Sequence, residues 1–316
     1  MNEIALFSIF IASFLVLYKS SEWVLRYSLL LSRKLRISTL VFGFIIVAVS
    51  TSLPELGIAI FSILSDSISL SVGNLLGANL FNLTVVIGIS VLCYGIIRLN
   101  KKEETELIEL LFLSTLVTLL IFQGQRLSEI HGIILLVLFG LLVSKLYRGG
   151  IIKKEFYEAP KSKKTEESKT KIGLLFFISI SLLLFSSHFL VDSALGISTL
   201  LSLSITFVGM TITAIGTTLP ELSVQLRAIK NKEYGLAIGD LLGSCVVNLT
   251  LILGVLSILS PVIIEIESLI ILLPFLFIAI FVVWYAIANK KKITRFEGAI
   301  LIILYILFIL ECFGII

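Results

Sequence analysis

Ten long apolar runs constrain this chain more than any other feature: residues 4–31, 38–64, 70–96, 106–123, 128–147, 172–200, 204–229, 235–260, 267–288 and 296–315. Each comes near the ~20 residues that cross a bilayer as a helix. Strands of a membrane barrel alternate apolar and polar residues, and these runs do not. Only 15% of the residues are charged, against about 25% in a soluble domain. The expected fold is an all-α polytopic membrane protein with ten transmembrane helices. Glu3 stands where a signal peptide carries positive charge, and no small-residue cleavage site follows, so the first run reads as a retained helix.

Lysine and arginine gather on alternate connections. They appear at Arg33, Lys34 and Arg36, at Arg98, Lys101 and Lys102, across Lys145–Lys171, at Arg227, Lys230 and Lys232, and at Lys290 to Arg295, while the other side holds only Arg126. Basic loops face the cytoplasm. Both termini are therefore expected outside, with the protein in the cell (plasma) membrane. The long polar stretch 153–171 is expected inside. That stretch mixes lysine with glutamate and has no apolar period, as a solvated linker does; attraction of its basic residues to anionic lipid is the lesser reading. The net charge of +4 sits in these loops, which disfavours a nucleic-acid partner. Cys93, Cys245 and Cys312 lie apart with no CxxC spacing, so neither a disulfide framework nor a zinc site is expected.

The chain repeats itself. Residues 43–88 laid on 209–254, at a constant offset of 166, give 18 identities in 46 positions. Among them are Gly43/Gly209, Ala48/Ala214, Thr51/Thr217, the run Leu53-Pro54-Glu55-Leu56 on Leu219-Pro220-Glu221-Leu222, Gly73/Gly239, Gly77/Gly243 and Asn82/Asn248. Five runs per half is an odd number, so the second half enters the membrane from the opposite side. The expected organisation is a first five-helix repeat over 1–148 (motif 43–88), a cytoplasmic linker over 149–171 and a second, inverted repeat over 172–316 (motif 209–254). Inverted repeats of this kind place a transport site at the midplane between the halves.

Each motif puts a proline beside a glutamate inside an apolar run, as STSLPE (50–55) and GTTLPE (216–221). A proline offers no N–H and displaces the carbonyl four residues earlier. At membrane depth such a break is tolerated where protein or a polar cavity supplies partners. The breaks gather backbone carbonyls, the hydroxyls of Thr51, Ser52, Thr217 and Thr218, and the carboxylates of Glu55 and Glu221. Hard oxygen donors in that number suit Ca²⁺ or Na⁺. In the following segments Asn74, Ala78 and Asn82 share one helical face, as do Asp240, Ser244 and Asn248. Gly73/Gly77 and Gly239/Gly243 allow close helix approach.

Blander readings apply elsewhere. A single proline is usually a kink and a single glutamate near a helix end usually snorkels, but duplication of the pair favours function. Asn82 and Asn248 read equally as ligands or as helix–helix bridges. His131 and His188 have no partner at metal spacing and read as interfacial or core residues. Trp23 and Trp284 read as interface anchors. Lys19, Glu22 and Arg26 read as a charge set on the first helix.

STSLPE with GNLLGANLFN (73–82), and GTTLPE with GDLLGSCVVN (239–248), resemble the two α-repeats of sodium/calcium exchangers in the Ca²⁺/cation antiporter superfamily, prokaryotic type. The resemblance implies that Glu55 and Glu221 bind Ca²⁺ directly, with backbone carbonyls around Ala48, Thr51, Ala214 and Thr217. It implies Na⁺ sites from the glutamates with Thr51, Ser52, Thr217, Thr218 and Ser244, and Asn82 and Asn248 lining the centre. Two departures stand out: Ala78 replaces a frequent hydroxyl, and Asn248 stands where some members carry aspartate. Asp240 is expected toward the start of its helix, leaving two carboxylates to neutralise one Ca²⁺.

The expected function is thus antiport of Ca²⁺ against Na⁺ by alternating access, with these ions as substrates, no cofactor, no enzymatic activity and a monomer as the working unit. A Ca²⁺/H⁺ antiporter is the alternative, since buried carboxylates exchange protons as well as metal. An intramembrane hydrolase is remote, because the chain shows no HExxH, no GxGD and no repeated serine–histidine pairing.

Overall fold

The structure, a computed structural model, describes residues 3–35, 48–98, 102–122, 126–148, 168–232, 234–260, 262–263 and 266–313. The start of the second apolar run, with Gly43, and the linker up to residue 167 lie outside the described residues.

Helix fills the described part of every apolar run. The first half consists of α1 (Glu3–Leu35), α2 (Ala48–Thr51), α3 (Leu53–Leu64), α4 (Ile68–Phe81), a π-helical turn (Asn82–Val86), α5 (Ile87–Tyr94), α6 (Lys102–Phe122) and α7 (Glu129–Arg148). The second half consists of α8 (Lys169–Leu201), α9 (Ile205–Val208), a π turn (Gly209–Thr213), α10 (Ala214–Thr217), α11 (Leu219–Lys230), α12 (Tyr234–Val246), a π turn (Val247–Ile252), α13 (Leu253–Leu259), α14 (Ile266–Tyr285), a π turn (Ala286–Lys290) and α15 (Arg295–Cys312). The 166-residue offset carries α1 onto α8, α2 onto α10 and α3 onto α11 with identical bounds. By length and composition, five helices among the described residues are able to cross a membrane, and six with the bent pair Ile205–Thr217 and Leu219–Lys230.

Strands were not expected, yet two short antiparallel pairs tie the loops. β1 (Ile97–Arg98) pairs with β4 (Lys292–Ile293), and β2 (Arg126–Leu127) pairs with β3 (Val262–Ile263). The offset carries β2 onto β4 and β1 onto residues overlapping β3, so each strand pairs across the halves. The 21 residues of α6 separate β1 from β2, or about 30 Å at the helical rise. The two strand pairs therefore hold the halves together at opposite ends of that helix.

Close backbone contact joins the halves in the middle. A Cβ on Gly73 would fall 2.3 Å from the Thr206 carbonyl oxygen, and one on Gly77 would fall 2.2 Å from that of Met210. The small-residue spacing thus serves close approach of α4 to the segment from Ile205 to Thr217, as expected from the sequence. α1 and α8 pack against each other along their lengths. The charge set on α1 reaches another helix: Glu22 accepts from Lys19 at 2.7 Å and from Arg227 of α11 at 3.0 Å, and the Tyr18 hydroxyl lies 2.8 Å from that of Ser223. His188 packs on Phe61 and Phe189, and His131 Nδ1 accepts from the Ser128 N–H at 3.1 Å.

Candidate cation site

Both Pro-Glu motifs fold alike. α2 ends at Thr51 and α10 at Thr217; Ser52 (φ −82°, ψ 7°) and Thr218 (φ −89°, ψ 2°) make the break, and a new helix starts at once. Pro54 and Pro220 fall in the first turn of α3 and α11, where the missing N–H is one that no helical carbonyl needs. The two arms of the second break meet at 41°. Glu55 and Glu221 occupy the first turn of the new helices. The positive end of the helix dipole faces them, while the carbonyl-bearing ends of the preceding helices favour cations. A break that offers both at one point accommodates an ion together with its counter-charge.

The site lies in the protein interior. Glu55 and Glu221 are fully buried at 0% and 1% exposure, and Thr51, Ser52, Thr217, Thr218, Asn82, Asn248 and Ser244 are buried with them. Two hydrogen bonds related by the 166-residue offset close it. The Thr51 hydroxyl donates to the Asp240 carboxylate, and the Thr217 hydroxyl donates to the Asn74 amide oxygen, each at 3.2 Å. Thr217 also lies beside Glu55, and Asp240 lies within electrostatic reach of Glu221. Ser52 and Ser244 hydroxyls are 2.8 Å apart, and Ser244 donates to Glu221 Oε1 at 3.3 Å.

The departure at Ala78 has a visible consequence. Thr218, the counterpart of Ser52, finds no hydroxyl there and donates back to the Ala214 carbonyl at 2.8 Å. That carbonyl also accepts the Thr218 N–H at 3.2 Å, so its lone pairs are engaged by protein donors. Ala48 opens α2 as Ala214 opens α10.

Several of the buried polar atoms without a partner among the described residues are oxygens of this site. Both oxygens of Glu55, Oε2 of Glu221, Oδ1 of Asn82 and Oδ1 of Asn248 are buried without a hydrogen-bond partner among the described residues. Such atoms are costly in an apolar interior, and all five are suited to a hard cation. Among the described residues no three His, Cys, Asp or Glu side chains form a metal cluster; the other polar side chains buried with the glutamates carry hydroxyl and amide oxygens.

Three further residues adjoin this site: Asn74 and Asp240, which the sequence puts on the face of the candidate ligands without counting them among these, and Asn79, which it does not single out. Asp240 lies seven residues into α12, in the early part of the span Ala237–Leu259 as expected, and is 3% exposed, so a third buried carboxylate stands near the two glutamates. Asn74 is its counterpart. Asn79 accepts from Asn248 Nδ2 at 3.0 Å and donates to the Cys245 carbonyl at 3.1 Å. Asn248 thus bridges helices through its nitrogen, while its Oδ1 has no hydrogen-bond partner among the described residues. The signal for Asp240 was present in the sequence: a carboxylate in a ~20-residue apolar run rarely lacks a role.

Comparison with known proteins follows the same outline. The family model for sodium/calcium exchanger protein matches residues 5–147 and 171–314, on either side of the linker. The Alkalimonas amylolytica protein CaxA is 31% identical over 287 residues, 87% of this chain and 88% of that one. The sodium/calcium exchanger MaX1 of Methanosarcina acetivorans is 23% identical over 348 residues, covering 97% and 98%. A solved structure of the sodium-calcium exchanger NCX_Mj aligns over 98% of both chains with a TM-score of 0.67 and 26% identity.

Proposed function

The chain belongs to the sodium/calcium exchanger family and is a membrane cation antiporter; we propose that the cations it exchanges are Ca²⁺ and Na⁺. The observation that carries this reading is the set of unpartnered oxygens from Glu55, Glu221, Asn82 and Asn248, buried where the two broken segments meet. Glu55 and Glu221 ligate Ca²⁺, with carbonyls near Ala48, Thr51 and Thr217 completing its shell; the Ala214 carbonyl, engaged by Thr218, stays outside it. Na⁺ ions use the same glutamates with Thr51, Ser52, Thr217, Thr218 and Ser244. Binding of either set compensates the buried charge, and the compensated carrier reorients between the two faces. The architecture in this reading is two inverted five-helix repeats spanning the membrane ten times, with both termini outside and the linker cytoplasmic. One chain suffices, because both halves of the site come from it.

A second reading is proton coupling. Asp240 brings a third buried carboxylate beside the two glutamates, and carboxylates exchange protons as well as metal. Purified protein in vesicles loaded with Ca²⁺ separates the two. Efflux is expected to rise with Na⁺ on the opposite side at equal pH. Efflux driven only by an opposing pH gradient makes the protein a Ca²⁺/H⁺ antiporter instead.

A further inference from the structure

One buried polar side chain lies just beyond the ligand set. Gln225 stands four residues after Glu221 on α11, hence one turn on and on the same face. It is 1% exposed, and neither its Oε1 nor its Nε2 has a hydrogen-bond partner among the described residues. An amide stripped of water and left unpaired is costly at membrane depth. Packing does not demand it, because its counterpart in the first half is Ala59, 3% exposed in the same helix position.

The surroundings repeat this contrast. α11 packs along the π turn Asn82–Val86 and α5. In α5 the Ser90 hydroxyl is buried and unpartnered, whereas its counterpart Leu256 is buried in α13, which packs on α3. On the other side of the break, Thr213 is buried with an unpartnered hydroxyl, and the first half has Val47 there. Thr213, Thr217, Glu221 and Gln225 thus recur every four residues, against Val47, Thr51, Glu55 and Ala59. In sequence the second broken segment extends its polar row past the Thr217–Glu221 pair in both directions, and the first does not.

We propose that Gln225 is an oxygen-donating way-station through which the transported cation passes between Glu221 and the helix end that carries Arg227 and Lys230. The proposal rests on the antiport reading above. Its amide oxygen stands in for a shell water as the ion leaves the glutamates. Being uncharged, it binds weakly enough for the ion to move on, as conduction and transport steps require. With alanine at the matching position, the halves are unequal, and this auxiliary ligand serves one approach to the site only.

The test uses the full chain in vesicles. Gln225→Met keeps length and bulk but removes the amide oxygen, whereas Gln225→Asn keeps a neutral amide oxygen. Ca²⁺ flux is measured under whichever gradient, Na⁺ or pH, drives the wild type. Wild-type coupling then decides the antiport reading, and the variants decide this one. Equilibrium binding of radiolabelled Ca²⁺ in detergent reports the central site separately. For Gln225→Met, flux should fall about fivefold or more with Ca²⁺ affinity within about twofold of wild type, while Gln225→Asn keeps at least about half of the flux. Wild-type flux in Gln225→Met overturns the proposal, because a packing role tolerates methionine. Equal slowing in both variants overturns it as well, and so does a loss of Ca²⁺ affinity matching the loss of flux. If Gln225→Met fails to fold, Gln225→Ala, which copies Ala59, is read by the same criteria.

Discussion

The hydroxyl of Thr51 donates to the carboxylate of Asp240 at 3.2 Å, and this bond joins the broken helix of one half to the unbroken segment of the other. Its counterpart, from Thr217 to Asn74, has the same length but ends on a neutral amide. Equal geometry therefore holds unequal charge. Three acids, Glu55, Glu221 and Asp240, lie buried around the junction, with two on the second half and one on the first.

Removing either glutamate's charge should stop transport. Glu55→Gln and Glu221→Gln preserve shape, but a divalent ion in a low-dielectric site then loses half of the glutamate charge that compensates it. Both variants are expected to purify as folded protein and to show no Ca²⁺ flux in vesicles above protein-free controls. Substantial flux in either one refutes the two-glutamate site.

The reciprocal threonines should differ in their effect on stability. Thr51→Val withdraws a donor from a buried carboxylate, an interaction worth about 1.5–3 kcal/mol, whereas Thr217→Val withdraws one from an amide, worth about 1 kcal/mol. Thermal unfolding in detergent without Ca²⁺ should place Thr51→Val below Thr217→Val. Equal transitions would show that the charge on Asp240 gains nothing from this bond.

Gly77 is a test of the packing between halves. The Cβ of a larger residue would lie 2.2 Å from the Met210 carbonyl oxygen and 2.5 Å from its Cα. Backbone cannot yield as a side-chain tip can, so Gly77→Val should cost about 3 kcal/mol or more and lower the recovered folded protein. Gly140 meets nothing within 4 Å, and Gly140→Val is the control expected to fold normally.

Much of this arrangement could be read from the residues because the repeat supplies an internal comparison. The pairing of Pro54-Glu55 with Pro220-Glu221 marked the breaks, and the glycine spacing marked the close approach of α4. The same comparison kept Asp240 out of the expected ligand set although it shares a face with Ser244 and Asn248, since its counterpart is the neutral Asn74 and a site inferred from matching residues discounts the mismatch. The cross-half bonds were invisible for a different reason: which side chain Thr51 meets depends on how the segments pack, and no periodicity encodes that. The strand pairs escaped because two-residue ladders leave no alternation to detect. Gln225 was missed because it lies past GTTLPE, at a position of the repeat where the halves differ.

Topology is open to a direct test. Basic residues cluster on alternate connections, which should place the 153–171 linker in the cytoplasm and both termini outside. Single cysteines introduced in the linker and near the C-terminus, in a background lacking Cys93, Cys245 and Cys312, can be labelled with an impermeant reagent in intact cells. The terminal cysteine is expected to react and the linker cysteine is not. The reverse pattern would invert the orientation.

Asn248 tests how finely charge is set at the site. Its Nδ2 donates to Asn79 Oδ1 at 3.0 Å, and its own Oδ1 is unpartnered. Asn248→Asp exchanges that donor for a carboxylate oxygen facing the Asn79 carbonyl. Asn79 is not free to turn its amide about, because its Nδ2 is bound to the Cys245 carbonyl at 3.1 Å. The lost bond and the new repulsion should cost about 1–3 kcal/mol of stability. The variant also adds a fourth acid where Glu55, Glu221 and Asp240 already lie buried. An extra negative charge there has to be balanced by a proton or by another cation. Ca²⁺ uptake in the variant should therefore depend more steeply on pH than in wild type, slowing as acid occupies the cluster with protons and excludes metal. The measurement is initial uptake against pH at a fixed Na⁺ gradient, with Ca²⁺ affinity taken in parallel. Superimposable profiles and an unchanged affinity would place the Asn248 oxygen outside the ion's shell, leaving the residue as a bridge from the π turn Val247–Ile252 to α4 through Asn79.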